Sequence, residues 1–192
     1  MDSVLTTIKN DTFKIEEHAV KTVYRLILLL ISIFIVTGCG YHNPNVYSGP
    51  EKSVYITEWK NRTSNLGLDS QIYRSLSKWF QKSGSISIVR QKKGADLILG
   101  GEIISIELPS LAYGANNVTT EVKVKLRVRY LLKEISTNKI ILEIPDETWT
   151  EDYLVTTNIS TNRDNEAEAL KIIIEDLSQK IYQRTVSQLP RL

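Results

Sequence analysis

Thiols and imidazoles are almost missing from this chain: its 192 residues include one cysteine, Cys39, and two histidines, His18 and His42. A lone cysteine closes no disulfide and builds no cysteine metal site, so the fold must hold by packing alone. No Gly-x-Ser-x-Gly elbow, Walker loop or His-Glu-x-x-His pattern occurs, which removes the common signatures of hydrolases, nucleotide enzymes and zinc peptidases. Excess charge of one sign is missing as well. The 24 Lys and Arg against 22 Asp and Glu leave a net charge of +2, too near neutral for nucleic acid to be the main partner. Internal repeats and low-complexity tracts are absent too. These gaps predict a protein that is not an enzyme and holds no metal or cofactor. The acidic pairs Asp146-Glu147 and Glu151-Asp152 could in principle act as paired carboxylates, but they read as solvated turn and strand-edge charges.

No hydrophobic run is long enough to span a bilayer. The longest is the uncharged eleven-residue stretch Leu26 to Val36, apolar but for Ser32, where a spanning helix needs about 20. Lys21 and Arg25 precede it and Val36-Thr37-Gly38-Cys39 closes it. That is a positive n-region, a short apolar h-region and a bacterial lipobox. The expectation is a lipoprotein signal peptide over residues 1–38, cut before Cys39. The cysteine is diacylated, and its new amine often acylated as well, as with palmitate. Each buried methylene contributes about 0.8 kcal/mol, and two or more chains anchor stably. The alternative is an uncleaved anchoring helix. Residues 1–20 are long and polar for an n-region, consistent with an overextended start. Gly40, where an Asp would retain the protein at the inner membrane, predicts the periplasmic side of the outer membrane.

Removing residues 1–38 from the 192 leaves 154, one domain's worth. The leader's four basic and four acidic residues cancel, so the mature chain keeps +2. Residues 39–52 read as lipid anchor and tether, with His42 on the tether, and 53–190 as a single periplasmic domain. Ser53–Trp59 alternates apolar and polar residues and predicts a strand. Leu68, Ile72, Leu76 and Phe80 recur every four residues, predicting a helix to about Lys82 with Gly84 as its C-terminal cap. Ser85–Val89 and Ala95–Leu108 predict strands, with Gly100-Gly101 marking a bulge or a close backbone approach.

Pro109–Asn117 reads as a loop with Tyr113 as a candidate docking aromatic. Thr119–Leu132 is the clearest strand. Ile140–Ile144 returns, Pro145-Asp146 interrupts, and Trp149–Val155 continues past a bulge. Residues 156–165 read as loop, and Glu166–Gln188 as a helix with Ala167, Leu170, Ile174, Leu177 and Ile181 on one face. Asp164, Glu166 and Glu168 at its start suit the helix dipole. The order β-α-β-β-β-β-α predicts an α+β two-layer sandwich: a mostly antiparallel sheet of about four to five strands with two helices on one face.

Lys123, Lys125, Arg127 and Arg129 lie two apart, so a strand projects all four from one face. They span roughly 20 Å at about 3.4 Å per residue. Such a stripe can pair with phosphates, arginine in bidentate fashion, and the predicted address offers the phosphorylated lipid A of lipopolysaccharide. A solvated sheet face is the alternative. Asn61-Arg62-Thr63, Asn117-Val118-Thr119 and Asn158-Ile159-Ser160 match glycosylation acceptors, a reading that bacterial export empties of meaning.

Thr37-Gly38-Cys39-Gly40-Tyr41-His42, the strand into Asn61-Arg62-Thr63, Ala95-Asp96 through Gly101, the long alternating strand and the closing Gln188-Leu189-Pro190 occur in a familiar order. Together they resemble the lipopolysaccharide-assembly lipoprotein family, LptE. The resemblance implies a sheet of about four strands with two helices on one face. It also implies a partner, the LptD β-barrel, which such a protein plugs and helps to assemble, and it implies lipopolysaccharide binding without covalent chemistry. The basic residues of enteric members do not transfer, because the corresponding regions here read Ala112-Tyr113-Gly114 and Pro145-Asp146-Glu147. The stripe from Lys123 to Arg129 is a reading of the residues alone. An activator or adaptor of a peptidoglycan synthase or secretion machine is the competing function, since a strand, Asn-x-Thr and helix also begin domains of that kind.

Overall fold

In a computed structural model, which describes residues 25, 27, 47, 49–114 and 119–189, residues 49–114 and 119–189 form seven strands and two long helices. They are β1 (Lys52–Ile56), β2 (Lys60–Asn61), α1 (Leu68–Gln81), β3 (Ile86–Ile88), β4 (Leu97–Glu107), β5 (Ser110–Tyr113), β6 (Thr119–Glu134), β7 (Ile140–Leu154) and α2 (Ile159–Gln188). Met1–Asn43 and Pro44–Leu192 are separate units. Only Arg25 and Ile27 of the first are described, both helical. The expected signal peptide, Cys39, Gly40 and His42 therefore lie outside the described residues. Tyr47, in the segment read as tether, is 1% exposed and belongs to the core.

All seven strands form one mixed sheet, which corrects the expected mostly antiparallel sheet of four to five. β4, β6 and β7 are antiparallel neighbours, while β1 pairs in parallel with both β3 and β4. The parallel step is hidden in the sequence because parallel neighbours usually need a crossover of a dozen or more residues. Here β3 ends and β4 begins at the same level of β1: Val54 is in register with Ile88 on one side and Leu97 on the other. The short link of residues 89–96 therefore suffices, and α1 supplies the longer crossover from β1 to β3. The two strands not foreseen are short ones. β2 pairs with β4 beyond the end of β1, and β5, inside the expected Pro109–Asn117 loop, extends β4 along β6.

Period-two patterning puts Val124, Leu126, Val128 and Leu132 of β6 at 0% exposure with Val122 and Tyr130 nearly so, all on one face. Both helices close over that face. Leu68, Ile72, Leu76 and Phe80 of α1 are fully buried as expected, and Leu170, Ile174, Leu177 and Ile181 of α2 are buried too. Each such side chain contributes about 1.5–3 kcal/mol relative to an exposed one. Phe80 meets Tyr182 edge to face at 5.4 Å, locking the helices together.

Three boundaries differ from expectation. α2 begins at Ile159, seven residues before Glu166, where the Asn158 side chain accepts from the N–H groups of Ser160 and Thr161. That leaves Asp164, Glu166 and Glu168 beyond its first turn, and it is Ala169, not Ala167, that is buried. α1 is capped by Lys82 in a right-handed conformation, not by Gly84. β7 runs unbroken through Pro145, with Pro145 and Asp146 together opposite Arg129 in a bulge. This edge strand can accommodate a residue without an N–H there.

Candidate functional site

The opposite face of the sheet is uncovered by either helix, and the odd-numbered residues of β6 project from it. Lys123, Lys125, Arg127 and Arg129 do share this face, as their spacing predicted, but they stand among carboxylates. Lys123 faces Asp152 across the β6–β7 ladder, with Nζ to Oδ1 at 3.0 Å. Arg127 grips Asp146 through Nε at 2.7 Å and Nη2 at 2.6 Å. The hydrogen bonds from Arg127 hold the Asp146 carboxyl below its ordinary range. Lys125 sits between Glu107 and Thr150 in the register, without an ion pair among the described residues. The face is thus a checkerboard, not a continuous positive stripe.

Arg129 is different. Its Nε donates to Glu102 Oε2 at 2.6 Å, its Nη2 also reaches that carboxylate, and Arg62 binds the other oxygen through Nε. Glu102 is nearly buried, with 9% of its side chain exposed, while the two arginine side chains are half exposed at 51% and 52%. Lys60 of β2 is the direct neighbour of Glu102 in the sheet, so Lys60, Glu102 and Arg129 form one rung across three strands. Beside the rung lies a hollow of about 390 Å³ lined by Gly100, Leu131, Ile144 and Pro145 as well as by Lys60 and Arg129. Neither Lys60 nor Arg62 is singled out by sequence reasoning. The visible signal is Glu102 itself, a charge set within the otherwise apolar run Leu97 to Ile104, which calls for a cation.

The local motifs have physical jobs. The Asn61 side chain accepts from the Thr63 N–H at 2.9 Å and hydroxyl at 2.8 Å and donates to the Asn65 carbonyl at 2.8 Å. Asn-x-Thr here is a turn that delivers Arg62 to Glu102. In Ala95-Asp96, the Asp96 carboxylate accepts from the Ser53 N–H and hydroxyl, both at 2.7 Å, stitching β4 to β1. Those two bonds hold the Asp96 carboxyl below its usual value. A side chain at Gly101 would lie 2.5 Å from the Trp59 indole, so the glycine pair marks a close approach. The nearby bulge falls instead between Ile103 and Ser105.

Three of the four carboxylates in the acidic pairs serve as ion-pair partners. Asp146 and Asp152 hold the cations named above, while Glu147 takes Arg184 of α2 in two hydrogen bonds of 2.8 and 2.9 Å. Tyr113 ends β5 opposite Thr119 and is 61% exposed. Leu108 and Leu111 are exposed near it.

No curated protein matches the sequence significantly. Among solved structures, lipoprotein B from Nitrosomonas europaea superposes with a TM-score of 0.54 at 17% identity, covering 78% of this chain and 92% of that one. A protein from Xanthomonas campestris gives 0.53 at 11% identity, over 74% and 88%. Rare lipoprotein B from Shewanella oneidensis gives 0.52 at 16% identity, over 70% and 94%. At these identities the likeness is one of fold. The family description LptE, lipopolysaccharide-assembly, matches residues 51–185, nearly all of the folded domain, and the chain belongs to that family.

Proposed function

We propose that the mature protein starts at Cys39, carries its lipid there, and holds residues 53–190 as a periplasmic domain at the outer membrane. There it plugs, and assists assembly of, an LptD-type β-barrel that inserts lipopolysaccharide into the outer leaflet. The family match over residues 51–185 carries this reading. The lipobox and Gly40 supply the address, and residues 40–46, ahead of the core-packed Tyr47, at about 3.3–3.6 Å each reach at most roughly 25 Å, which favours a partner at the membrane. The bare sheet face suits the role. Barrel interiors are polar, so a plug should meet them with matched charges, as Lys123–Asp152 and Arg127–Asp146 do. Tyr113, exposed at the hairpin end, is a contact for the barrel. Lipopolysaccharide is a second ligand in this reading, its phosphates reaching the face that carries Lys123, Lys125, Arg127 and Arg129. The protein supplies binding and assembly, not catalysis.

The test is capture of the tagged full chain from detergent-extracted outer membranes of its native host, with intact-mass measurement of bait and partner. The expected result is a large β-barrel at one to one and a bait that begins at Cys39 with acyl chains. A peptidoglycan synthase in place of the barrel would overturn the proposal.

A further inference from the structure

Charge on the bare sheet face balances one to one at Lys123–Asp152 and Arg127–Asp146. At the middle rung it does not. Arg62 and Arg129 share the single carboxylate of Glu102, and exposed Lys60, next to Glu102 in the sheet, makes no ion pair among the described residues. Three cations therefore surround one anion. Glu143 is the other carboxylate lining the hollow.

A carboxylate as buried as Glu102 must keep a cation, because an unpaired charge there would cost several kcal/mol. One guanidinium is thereby committed, and the second guanidinium with the Lys60 ammonium is surplus. Each guanidinium has five N–H donors. Arg62 uses Nε, and Arg129 uses Nε and Nη2, on Glu102. Their remaining N–H groups have no protein acceptor among the described residues, and both side chains are half exposed. The adjoining hollow is of a different character: Gly100 leaves it open, and Leu131, Ile144 and Pro145 give it apolar walls.

We propose that this hollow is a binding site for a phosphorylated amphiphile. Lys60 and Arg129, which line it, hold its phosphate while Arg62 stays on Glu102, and Leu131 and Pro145 contact the adjoining apolar surface. The inference rests on the lipopolysaccharide-binding part of the proposed function and narrows it: of the four-residue stripe, Arg129 alone belongs to the site, and it acts with Lys60 from outside the stripe. The shared chemistry is a phosphate, from lipopolysaccharide or free in solution.

Titration calorimetry on the full lipoprotein in detergent, with purified lipopolysaccharide, the same material dephosphorylated, and inorganic phosphate, separates these sources. Lys60→Glu is the informative variant, since Lys60 is exposed and leaves the Arg62–Glu102–Arg129 cluster intact. Lys171→Glu, exposed on α2 across the sheet, is the control. The expected result is a loss of about tenfold or more in lipopolysaccharide affinity on Lys60→Glu. Dephosphorylation should cause a similar loss, and Lys171→Glu should change affinity by less than about twofold. Unchanged affinity in Lys60→Glu, or an equal loss in Lys171→Glu, overturns the site. Phosphate bound with the same Lys60 dependence but no lipopolysaccharide bound upholds the site and removes that ligand from the proposed function. A wild-type protein that binds neither overturns both.

Discussion

Trp59 fills the space a side chain at residue 101 would need. Its indole lies over Gly101 and stacks on Tyr130, with ring centroids 6.3 Å apart. Adding a methyl there forces an indole that is 2% exposed to move within a closed core. Overpacking of this kind costs about 1–3 kcal/mol. Gly101→Ala should therefore lower the urea midpoint of the purified protein, and Gly101→Ala with Trp59→Leu should recover part of the loss. An unchanged midpoint in the single variant would show that the indole has room. The same residue-scale logic separates the two kinds of arginine on the bare face. Arg127 has a carboxylate to itself, whereas Arg62 and Arg129 must share one.

At the scale of elements, α2 is fastened to the sheet by more than its apolar stripe. Arg184 reaches Glu147 of β7 and also donates to the Tyr130 hydroxyl of β6, which itself donates to Glu147 at 3.0 Å. Burial pushes the Glu147 carboxyl upward, but hydrogen bonds from Arg184 and Tyr130 more than offset this and hold it below its ordinary value of 4.5. A carboxyl lowered in the folded state stabilises the fold above its unfolded pKa, near 4.3. That contribution is lost as pH falls through the lower, folded value. Glu147→Gln should cost about 1–3 kcal/mol at pH 7, with the gap from wild type shrinking below about pH 4. Denaturant melts at pH 7 and at pH 3 measure it, and a gap that is equal at both would contradict the assignment.

What could be read from the sequence also divides by element. α1 and β6 were legible because their buried positions repeat with one clean period, every four residues in Leu68 to Phe80 and every two in Val122 to Leu132. The first turns of α2 were not, because residues 159–165 are mostly polar, Ile159 itself is 70% exposed, and only Asn158 signals the start. The parallel pairing of β1 with β3 and β4 depends on a stagger around Val54 that no local pattern encodes. The shared face of Lys123 to Arg129 was visible from their spacing, while their carboxylate partners come from β4 and β7. The rung of Lys60, Glu102 and Arg129 likewise joins three strands far apart in sequence, so only the register reveals it.

At the scale of the whole molecule, one layer of helices covers one face of a seven-stranded sheet and, among the described residues, leaves the other face charged and bare. A free-standing domain gains little from balanced charges on an open face, where an exposed ion pair contributes about 0–1 kcal/mol. A domain enclosed by a polar wall does gain, because each charge brought out of water then already has its partner. This supports the proposed plug role, alongside membership in the lipopolysaccharide-assembly family. The most direct test is depletion of the protein from its native host, followed by quantification of surface-exposed lipopolysaccharide and of the folded barrel. The account predicts that both fall together while peptidoglycan crosslinking holds. Lipopolysaccharide undiminished at the surface, with altered crosslinking, would contradict it.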